Sequence, residues 1–290
     1  MKFFTTLLLV WGFGLFSVYA QVPTKEKELD DFVDEFFMED ELINDLIKSL
    51  SKYQFLYIST TYNSDTYFSG RDIGIDQYNV SPQITYVNSS GLFASLSGNY
   101  YSDFVPNWDV TTVTVGYGNN FGKKKLFKYY ASYSKYLYAN DSNAIYSNTL
   151  NAGLGIRNKN RTLGTQLSGA FLFGEDESFQ ITSNSYASFN LLKTKKSSLK
   201  LKPQISISAG KQTIDLARIN FIGGEIVTEY IRNETFNLIN TQLSIPLQYN
   251  VNSFDFEVGY TINFPHPIGE ESNLTSTSFF SVSLAYMIGL

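Results

Sequence analysis

The chain ends with the stretch FSVSLAYMIGL, residues 280–290, in which apolar side chains alternate with small ones. Phe280, Val282, Leu284, Tyr286 and Ile288 share one set of alternate positions, and the residues between them are serine, alanine, methionine and glycine. Successive side chains of a β-strand point to opposite sides. The stretch therefore predicts a β-strand with one apolar face and one face of mostly small side chains.

The same period of two continues through residues 55–290. Twelve strands are predicted, over residues 55–63, 77–88, 91–101, 109–121, 125–138, 145–157, 161–173, 178–192, 198–211, 235–250, 252–264 and 275–290. Several of these runs exceed ten residues, whereas strands of globular proteins usually have about five or six. About 9–11 tilted residues are enough to cross the hydrocarbon layer of a membrane. The pattern favours an all-β fold, a transmembrane antiparallel up-and-down β-barrel of about 12 strands.

Short and long connections alternate between the predicted strands. The short ones, at 88–91, 122–125, 158–160, 193–198 and 250–252, are rich in turn-forming residues. The others, at 63–76, 102–108, 139–144, 212–234 and 265–274, are longer, and 174–177 alone breaks the alternation. Every second connection is therefore expected at the same end of the barrel.

The N-terminal part of the chain has a different pattern. Residues 1–20, with Lys2, an apolar run over 7–16 and Val18-Tyr19-Ala20, have the features of a signal peptide cleaved before Gln21. Residues 21–54 contain apolar side chains at three- and four-residue steps, which predicts an amphipathic helix over 24–52. That segment has ten acidic residues and four lysines, whereas the rest of the chain after it has 17 of each sign. The predicted domains are thus a signal peptide (1–20), an acidic helix (21–54) and a barrel (55–290).

Composition excludes several classes of protein. The 290 residues include one histidine and no cysteine, the formal net charge is −5 and the mean hydropathy is −0.13. A polytopic helical membrane protein would need several apolar runs of about 20 residues, and nucleic-acid binding would need a basic surface. Without cysteine and with a single histidine, a zinc site is not expected. We expect no metal, no cofactor and no nucleic-acid partner.

Residues 55–290 resemble the outer-membrane β-barrels of Gram-negative bacteria in their even strand number and aromatic-rich last strand, preceded by a signal peptide. In that family the periplasmic turns are short and the outer loops are long. The resemblance implies an outer-membrane location, contact with outer-membrane lipid, and both termini, with the acidic helix, on the periplasmic side. Members commonly end in Phe, whereas this chain ends in Leu290.

A secreted soluble β-sandwich or a filled soluble barrel is the alternative, because it has the same period of two. Strand length, the neutral charge of the barrel and its many tyrosines favour the membrane barrel, since tyrosine prefers membrane–water interfaces. The tyrosines expected near strand ends or rims are Tyr53, Tyr57, Tyr100, Tyr101, Tyr129, Tyr130, Tyr133, Tyr136 and Tyr138.

Five polar side chains are predicted to point into the bore at one height. Lys200 and Lys202 come soon after one short turn, Asp255 and Glu257 after another, and Gln248 lies on the strand between them. They would form a charged constriction that selects solutes or binds the acidic helix. The favoured alternative is a structural ion-pair network, as is common where charges face inward.

The connection 212–234 is a second candidate constriction. Its apolar and β-branched runs flank Gly223-Gly224, which indicates a hairpin. The hairpin would either stand above the membrane or fold inward, and its candidate residues are Arg218, Gly223, Gly224, Glu225 and Arg232.

Three functions are compatible with this pattern, of which the first is favoured. The first is a porin-like channel for small solutes, and the second is a scaffold barrel whose acidic helix, over 24–52, binds a periplasmic partner. The third is a lipid-modifying enzyme. Barrel phospholipases have a histidine and a serine two residues apart on a strand, whereas His266 lies between two prolines in a predicted loop. We therefore expect that the protein is not an enzyme.

Overall fold

The computed structural model describes residues 54–290 apart from 73, 123–125, 141–144, 195–196, 223–224, 269–270 and 272–273, and describes no side chain between 212 and 235. The predicted signal peptide and acidic helix lie outside the described residues. No helix long and apolar enough to span a bilayer occurs in the part that is described.

Fourteen β-strands make up the described chain. They are β1 (Gln54–Asn63), β2 (Asn79–Asn88), β3 (Leu92–Tyr101), β4 (Trp108–Phe121), β5 (Phe127–Tyr138), β6 (Tyr146–Arg157), β7 (Leu163–Gly174), β8 (Glu177–Ala187), β9 (Phe189–Lys193), β10 (Ser197–Leu201), β11 (Gln204–Ile222), β12 (Glu225–Val251), β13 (Phe254–Pro265) and β14 (Thr277–Gly289).

The sheet closes on itself and forms a barrel. Each strand pairs antiparallel with its neighbours, β1 pairs with β14, and β12 pairs with both β10 and β11. The segments β8 and β9 are two halves of one strand of the barrel, divided at Ser188, and β10 and β11 are two halves of another, divided at Lys202-Pro203. Pro203 has no N–H to donate, which accounts for the second division. The predicted twelve-stranded antiparallel barrel is confirmed.

The two ends of the barrel differ. One end, here called the turn end, has the connections at 89–91, 122–126, 158–162, 194–196 and 252–253 and the beginning of β1. The opposite end, the loop end, has the connections at 64–78, 102–107, 139–145 and 266–276. The predicted long connection 212–234 is different in the structure, because β11 and β12 remain paired up to Ile222 and Glu225. The β-branched residues in this stretch favour such an extended hairpin.

The outer face of the barrel is apolar. Val113, Leu154, Leu167, Val258 and Phe280 point outward, and between 41% and 63% of each residue is exposed. Side chains at the alternate positions, such as Thr85 and Thr149, face the interior and are buried. A closed barrel with apolar side chains outside and polar side chains inside is the arrangement that lipid requires. It differs from the two stacked sheets of a soluble sandwich.

Aromatic side chains cluster near both ends of the outer face. At the loop end, the ring centroids of Tyr62 and Tyr78 are 5.6 Å apart. At the turn end, Phe121 and Phe127 are stacked at 5.3 Å. Such rings suit the interfaces of a membrane, where an apolar ring and a polar group are both satisfied.

The tyrosines predicted near strand ends or rims do not all face the lipid. Tyr129 and Tyr133 face outward on β5 and are 36% and 38% exposed. Tyr130 and Tyr136 occupy the intervening positions and face the bore, where the hydroxyl of Tyr136 accepts a hydrogen bond from Thr149 Oγ1 at 3.0 Å. The alternation of the strand, which takes no account of residue type, decides which tyrosines reach the interface.

Candidate functional site: the bore and its inward loop

The connection between β1 and β2, residues 64–78, is called the inward loop below. Its tip is a two-residue turn in which Phe68 N–H donates to Arg71 O at 3.1 Å and Arg71 N–H donates to Phe68 O at 2.9 Å. Ser69 and Gly70 have φ values of 52° and 80°. Positive φ at both central residues is the geometry of the hairpin turn that glycine favours.

The tip of the inward loop lies against the inner face of β12–β14. Thr277 Oγ1 donates to Gly70 O at 2.9 Å. A Cβ added to Gly70 would stand 2.6 Å from Asn240 Oδ1, well inside van der Waals contact. Glycine is favoured here both by its positive φ and by the close approach of the Asn240 side-chain amide.

A ladder of polar side chains on the inner face supports this contact. Asn263 Oδ1 accepts from Asn240 Nδ2 at 3.2 Å and from Gln242 Nε2 at 3.0 Å. Asn263 Nδ2 donates to Thr277 Oγ1 at 3.1 Å, and Thr277 in turn donates to Gly70 O. The ladder crosses β12, β13 and β14, so a buried set of hydrogen bonds holds the loop tip to the wall.

The base of the inward loop is fixed as well. Asn79 Nδ2 donates to Thr66 Oγ1 at 2.8 Å, and Asn63 Nδ2 donates to Asn79 Oδ1 at 2.8 Å. The hydroxyl of Tyr67 donates to Asp65 Oδ2 at 2.7 Å. The loop is thus held at both ends by side chains that belong to the loop or to its flanking strands.

An ion pair joins the inward loop to the connection 266–276. Arg71 Nη2 lies 2.9 Å from Glu271 Oε2 and also donates to His266 O at 2.7 Å. Glu271 Oε2 accepts the backbone N–H of Ile268 at 2.9 Å. Hydrogen bonds from Arg71 lower the pKa of the Glu271 carboxyl from its usual value. The two connections therefore form one unit at the loop end.

A cavity of about 340 Å³ remains between the inward loop and the barrel wall. Tyr101 on β3 and Asp65 of the loop line it, and so do Gln180 on β8 and Ser208 on β11. Because β3 and β8 are not neighbours in the barrel, the cavity extends across the bore. Its lining is mainly polar, as expected of a passage that holds water.

The five predicted bore residues lie at the turn end. Lys200 pairs with Gln248 across β10 and β12, and Gln248 pairs with Glu257 across β12 and β13, where Gln248 Nε2 donates to Glu257 Oε2 at 2.8 Å. Asp255 is two residues from Glu257 on the same face, and Lys202 Nζ lies 5.0 Å from the ring centroid of Tyr186. The backbone register brings these side chains to one side of the bore.

The candidate residues of the hairpin are placed only by their backbone. Arg218 pairs with Glu229, Arg232 with Asp215, and Glu225 with Ile222. Gly223 and Gly224 lie outside the described residues. A role of this hairpin as a constriction stays a prediction, and the described obstruction of the bore is the inward loop.

The sequence interpretation missed two features of the bore. The first is the inward loop, for which the turn formers Ser69-Gly70 were the available signal. The second is a set of aromatic rings that lie flat on glycines of the adjacent strand, in the directly paired positions Phe93–Gly116, Tyr130–Gly153 and Tyr186–Gly164. Glycine leaves room for each ring beside the wall, so the rings take up less of the bore.

His266 helps to anchor the connection 266–276. Its Nε2 lies 2.9 Å from Thr241 Oγ1, and its backbone N–H donates to Ile239 O at 2.9 Å. Each of these contacts is with the middle of β12, and Arg71 binds the carbonyl oxygen of His266. The described contacts of His266 are therefore structural.

Comparison with known proteins finds similarity in fold only. No family model matches the chain, and no curated protein matches it in sequence. Among solved structures, a KdgM porin is similar with a TM-score of 0.47 at 11% identity, over 79% of this chain and 98% of that one. A NanC porin is similar with a TM-score of 0.47 at 8% identity, over 80% and 98%. LpxR from Salmonella typhimurium is similar with a TM-score of 0.42 at 9% identity, over 80% and 99%.

The fold itself rests on the described residues. Twelve strands close into a ring, the outer face is apolar, and the inner face is polar. The chain is therefore a transmembrane β-barrel of the outer-membrane type.

Proposed function

We propose that this protein is a porin-like channel that lets small hydrophilic solutes diffuse across the outer membrane, with its turn end in the periplasm. An eight-stranded barrel is filled by its own side chains, and the diameter grows with strand number. Twelve strands lined by serine, threonine, asparagine and glycine leave room for water. The proposal assigns no catalytic step to any residue.

The inward loop is the observation that carries this proposal. Its tip, at Gly70, reaches the inner wall at Asn240 on β12, three strands away from β1, and its base stays on β1 and β2. A solute that crosses the barrel must pass the polar cavity beside this loop. A fixed loop of this kind sets the size of the passage. The hydrogen bond from Thr277 to Gly70 and the ion pair of Arg71 with Glu271 keep the loop in place.

Conductance of the full chain in planar bilayers tests the proposal. With purified protein in 1 M KCl, we expect discrete current steps of uniform size. The matched control is the same preparation after unfolding by heat. Mobility in detergent gels shows whether the protein in each sample is folded. Folded protein that inserts into the bilayer and gives no steps would overturn the proposal.

A further inference from the structure

An apolar patch lies inside the bore at the turn end, where the other inward side chains are mostly polar. Phe55 pairs with Val87 across β1 and β2, and Tyr57 pairs with Met287 across β1 and β14. The four side chains are contiguous and only 1% to 6% exposed. Side chains so little exposed do not face open water, although the bore of a twelve-stranded barrel is wide enough to hold it. The patch is therefore suited to an apolar partner within the bore.

Basic side chains occupy another arc of the same end. Lys200 and Lys202 follow the turn at 194–196, and Lys202 is 1% exposed. Lys128 on β5 and Arg157 on β6 line a small cavity together with Tyr186, the ring over which Lys202 lies. Asp255 and Glu257 are the inward acids that lie close to Lys200. Among the described inward residues of this end, positive charges thus outnumber negative ones by four to two.

Two polar atoms between the arcs have no hydrogen-bond partner in the described structure. Gln248 is 7% exposed, and its Oε1 is buried without a partner. Asn250 is 1% exposed and its Oδ1 accepts from Ser198 Oγ at 3.2 Å, whereas its Nδ2 is buried without a partner. Buried polar groups are usually satisfied. Their position, facing the bore between the apolar and basic arcs, points to a polar ligand at this place.

The segment 24–52 is the part of the chain with the matching properties. It ends two positions before Gln54, which begins β1 at the turn end and whose carbonyl accepts the N–H of Leu290 at 2.9 Å. The segment combines an apolar face with ten acidic residues against four lysines. Its covalent attachment at the mouth of the bore gives it a high effective concentration there.

We propose that residues 24–52 dock inside the turn end of their own barrel, with the apolar face on Phe55, Tyr57, Val87 and Met287 and acidic side chains toward Lys200 and Lys202. This proposal does not require that the barrel conduct. The segment could instead bind a periplasmic partner protein, and the test below distinguishes this outcome from docking in the barrel.

Cross-linking in the full chain tests the docking, because the protein has no native cysteine. The wall position is Ala285→Cys, since Ala285 is 3% exposed, faces the bore beside the apolar patch and is close to cysteine in size. It is combined in turn with Phe36→Cys, Ile43→Cys or Leu46→Cys. The matched control is Leu284→Cys, one residue away on the outer face and 42% exposed. A short bis-maleimide reagent joins cysteines that come close.

The expected result is a product cross-linked within one chain, at least tenfold more abundant for Ala285→Cys than for Leu284→Cys and independent of protein concentration. Heat-dependent mobility in detergent gels confirms that each variant is folded. No product at any of the three positions, equal products at both wall positions, or products only between chains or with another protein would overturn the proposal.

Charge neutralisation tests the electrostatic part with the same readout. Asp30→Asn, Asp31→Asn, Asp34→Asn and Glu35→Gln are combined with the most reactive cysteine pair. Because the Debye length is about 10 Å at 0.1 M salt and about 3 Å at 1 M, the yield should fall several-fold in the neutralised variant at low salt. The yield of the cysteine pair without the charge substitutions should also fall at 1 M KCl. A yield that neither change affects would contradict the role of the lysines.

Discussion

Gly70 of the inward loop and Asn240 on the inner face of β12 touch, so closely that a Cβ on Gly70 would stand 2.6 Å from Asn240 Oδ1. Gly70 and Asn240 are 170 positions apart in the sequence, and only the closed barrel brings them together. The contact holds the loop tip inside the barrel at the loop end, at a position where the loop carries no side chain.

A methyl group at Gly70 should displace the loop tip from the wall. In Gly70→Ala we expect a larger or more variable single-channel conductance, because the loop loses its contacts with Asn240 and Thr277. The matched control is Gly74→Ala, since Gly74 also has a positive φ of 72° but has nothing within 4 Å of a Cβ. The shared cost of positive φ, about 1 kcal/mol, then cancels in the comparison. Equal conductance in the two variants would count against the loop as constriction.

The ion pair between Arg71 and Glu271 should make the loop end sensitive to acid. Because hydrogen bonds from Arg71 lower the pKa of Glu271, its contribution is complete above the usual glutamate pKa of about 4.3. That contribution is lost as the pH falls through the lower pKa of the folded state. The pair is partly exposed, so the expected contribution is about 0.2–1 kcal/mol.

Proteolysis of the loop end measures this dependence. Cleavage within 64–78 by pepsin should rise between pH 4 and pH 2 in the unchanged protein, and Glu271→Gln should abolish most of that rise. If cleavage of Glu271→Gln rises with acid as much as cleavage of the unchanged protein does, the ion pair is not the cause of the rise.

The aromatic rings that lie on glycines should be sensitive to added volume. A Cβ on Gly153 would stand 2.2 Å from Tyr130 Cε1, whereas a Cβ on Gly155 would stand 3.4 Å from Lys128 Cγ. In Gly153→Ala the ring must move away from the wall, and we expect lower conductance and a loss of about 1–3 kcal/mol of stability. Gly155→Ala, on the same face of β6, is the control. Urea unfolding in lipid vesicles gives the free energies of unfolding. Similar losses of stability in Gly153→Ala and Gly155→Ala would contradict a specific role of the glycine under the Tyr130 ring.

Charge on the outer face should be far more costly than charge in the bore. Val282 points outward on β14 and is 49% exposed, whereas its neighbour Ser283 faces inward and shares a hydrogen bond with Thr61 at 3.0 Å. Val282→Arg should cost about 2–4 kcal/mol near the middle of the bilayer, and Ser283→Arg should cost less. The measurement is the free energy of unfolding in lipid vesicles. A larger loss of stability for Ser283→Arg than for Val282→Arg would mean that Ser283, and not Val282, faces the lipid.

The sequence was sufficient to predict the barrel because each strand carries its own signal. The alternation at Phe280, Val282 and Leu284 identifies the outer face of β14 without any knowledge of its neighbours. The common height of Lys200 and Glu257 was predicted because each lies a few residues after a short turn at the same end of the barrel, and the backbone register places both beside Gln248. Local information was thus sufficient for the fold, whereas the role of the side chains at the turn end stays a prediction.

The inward loop depends on contacts that are distant in the sequence. The hydrogen bond from Thr277 to Gly70 spans 207 positions, and no local pattern distinguishes a loop that enters the bore from one that stands outside it. The tyrosines show the same limit in another form. Tyr129 and Tyr130 are the same residue type, and only the phase of β5 sends one to lipid and the other to the bore.

A thiol placed at the loop tip tests the channel and its constriction most directly. Ser69→Cys puts one cysteine in a chain that has none, and Val105→Cys, in the connection 102–107 and 95% exposed, is the control. In planar bilayers with 1 M KCl, a charged methanethiosulfonate reagent should reduce the single-channel current through Ser69→Cys and leave Val105→Cys unchanged. A current that the reagent leaves intact in both variants, or reduces equally in both, would contradict a passage that runs beside the inward loop.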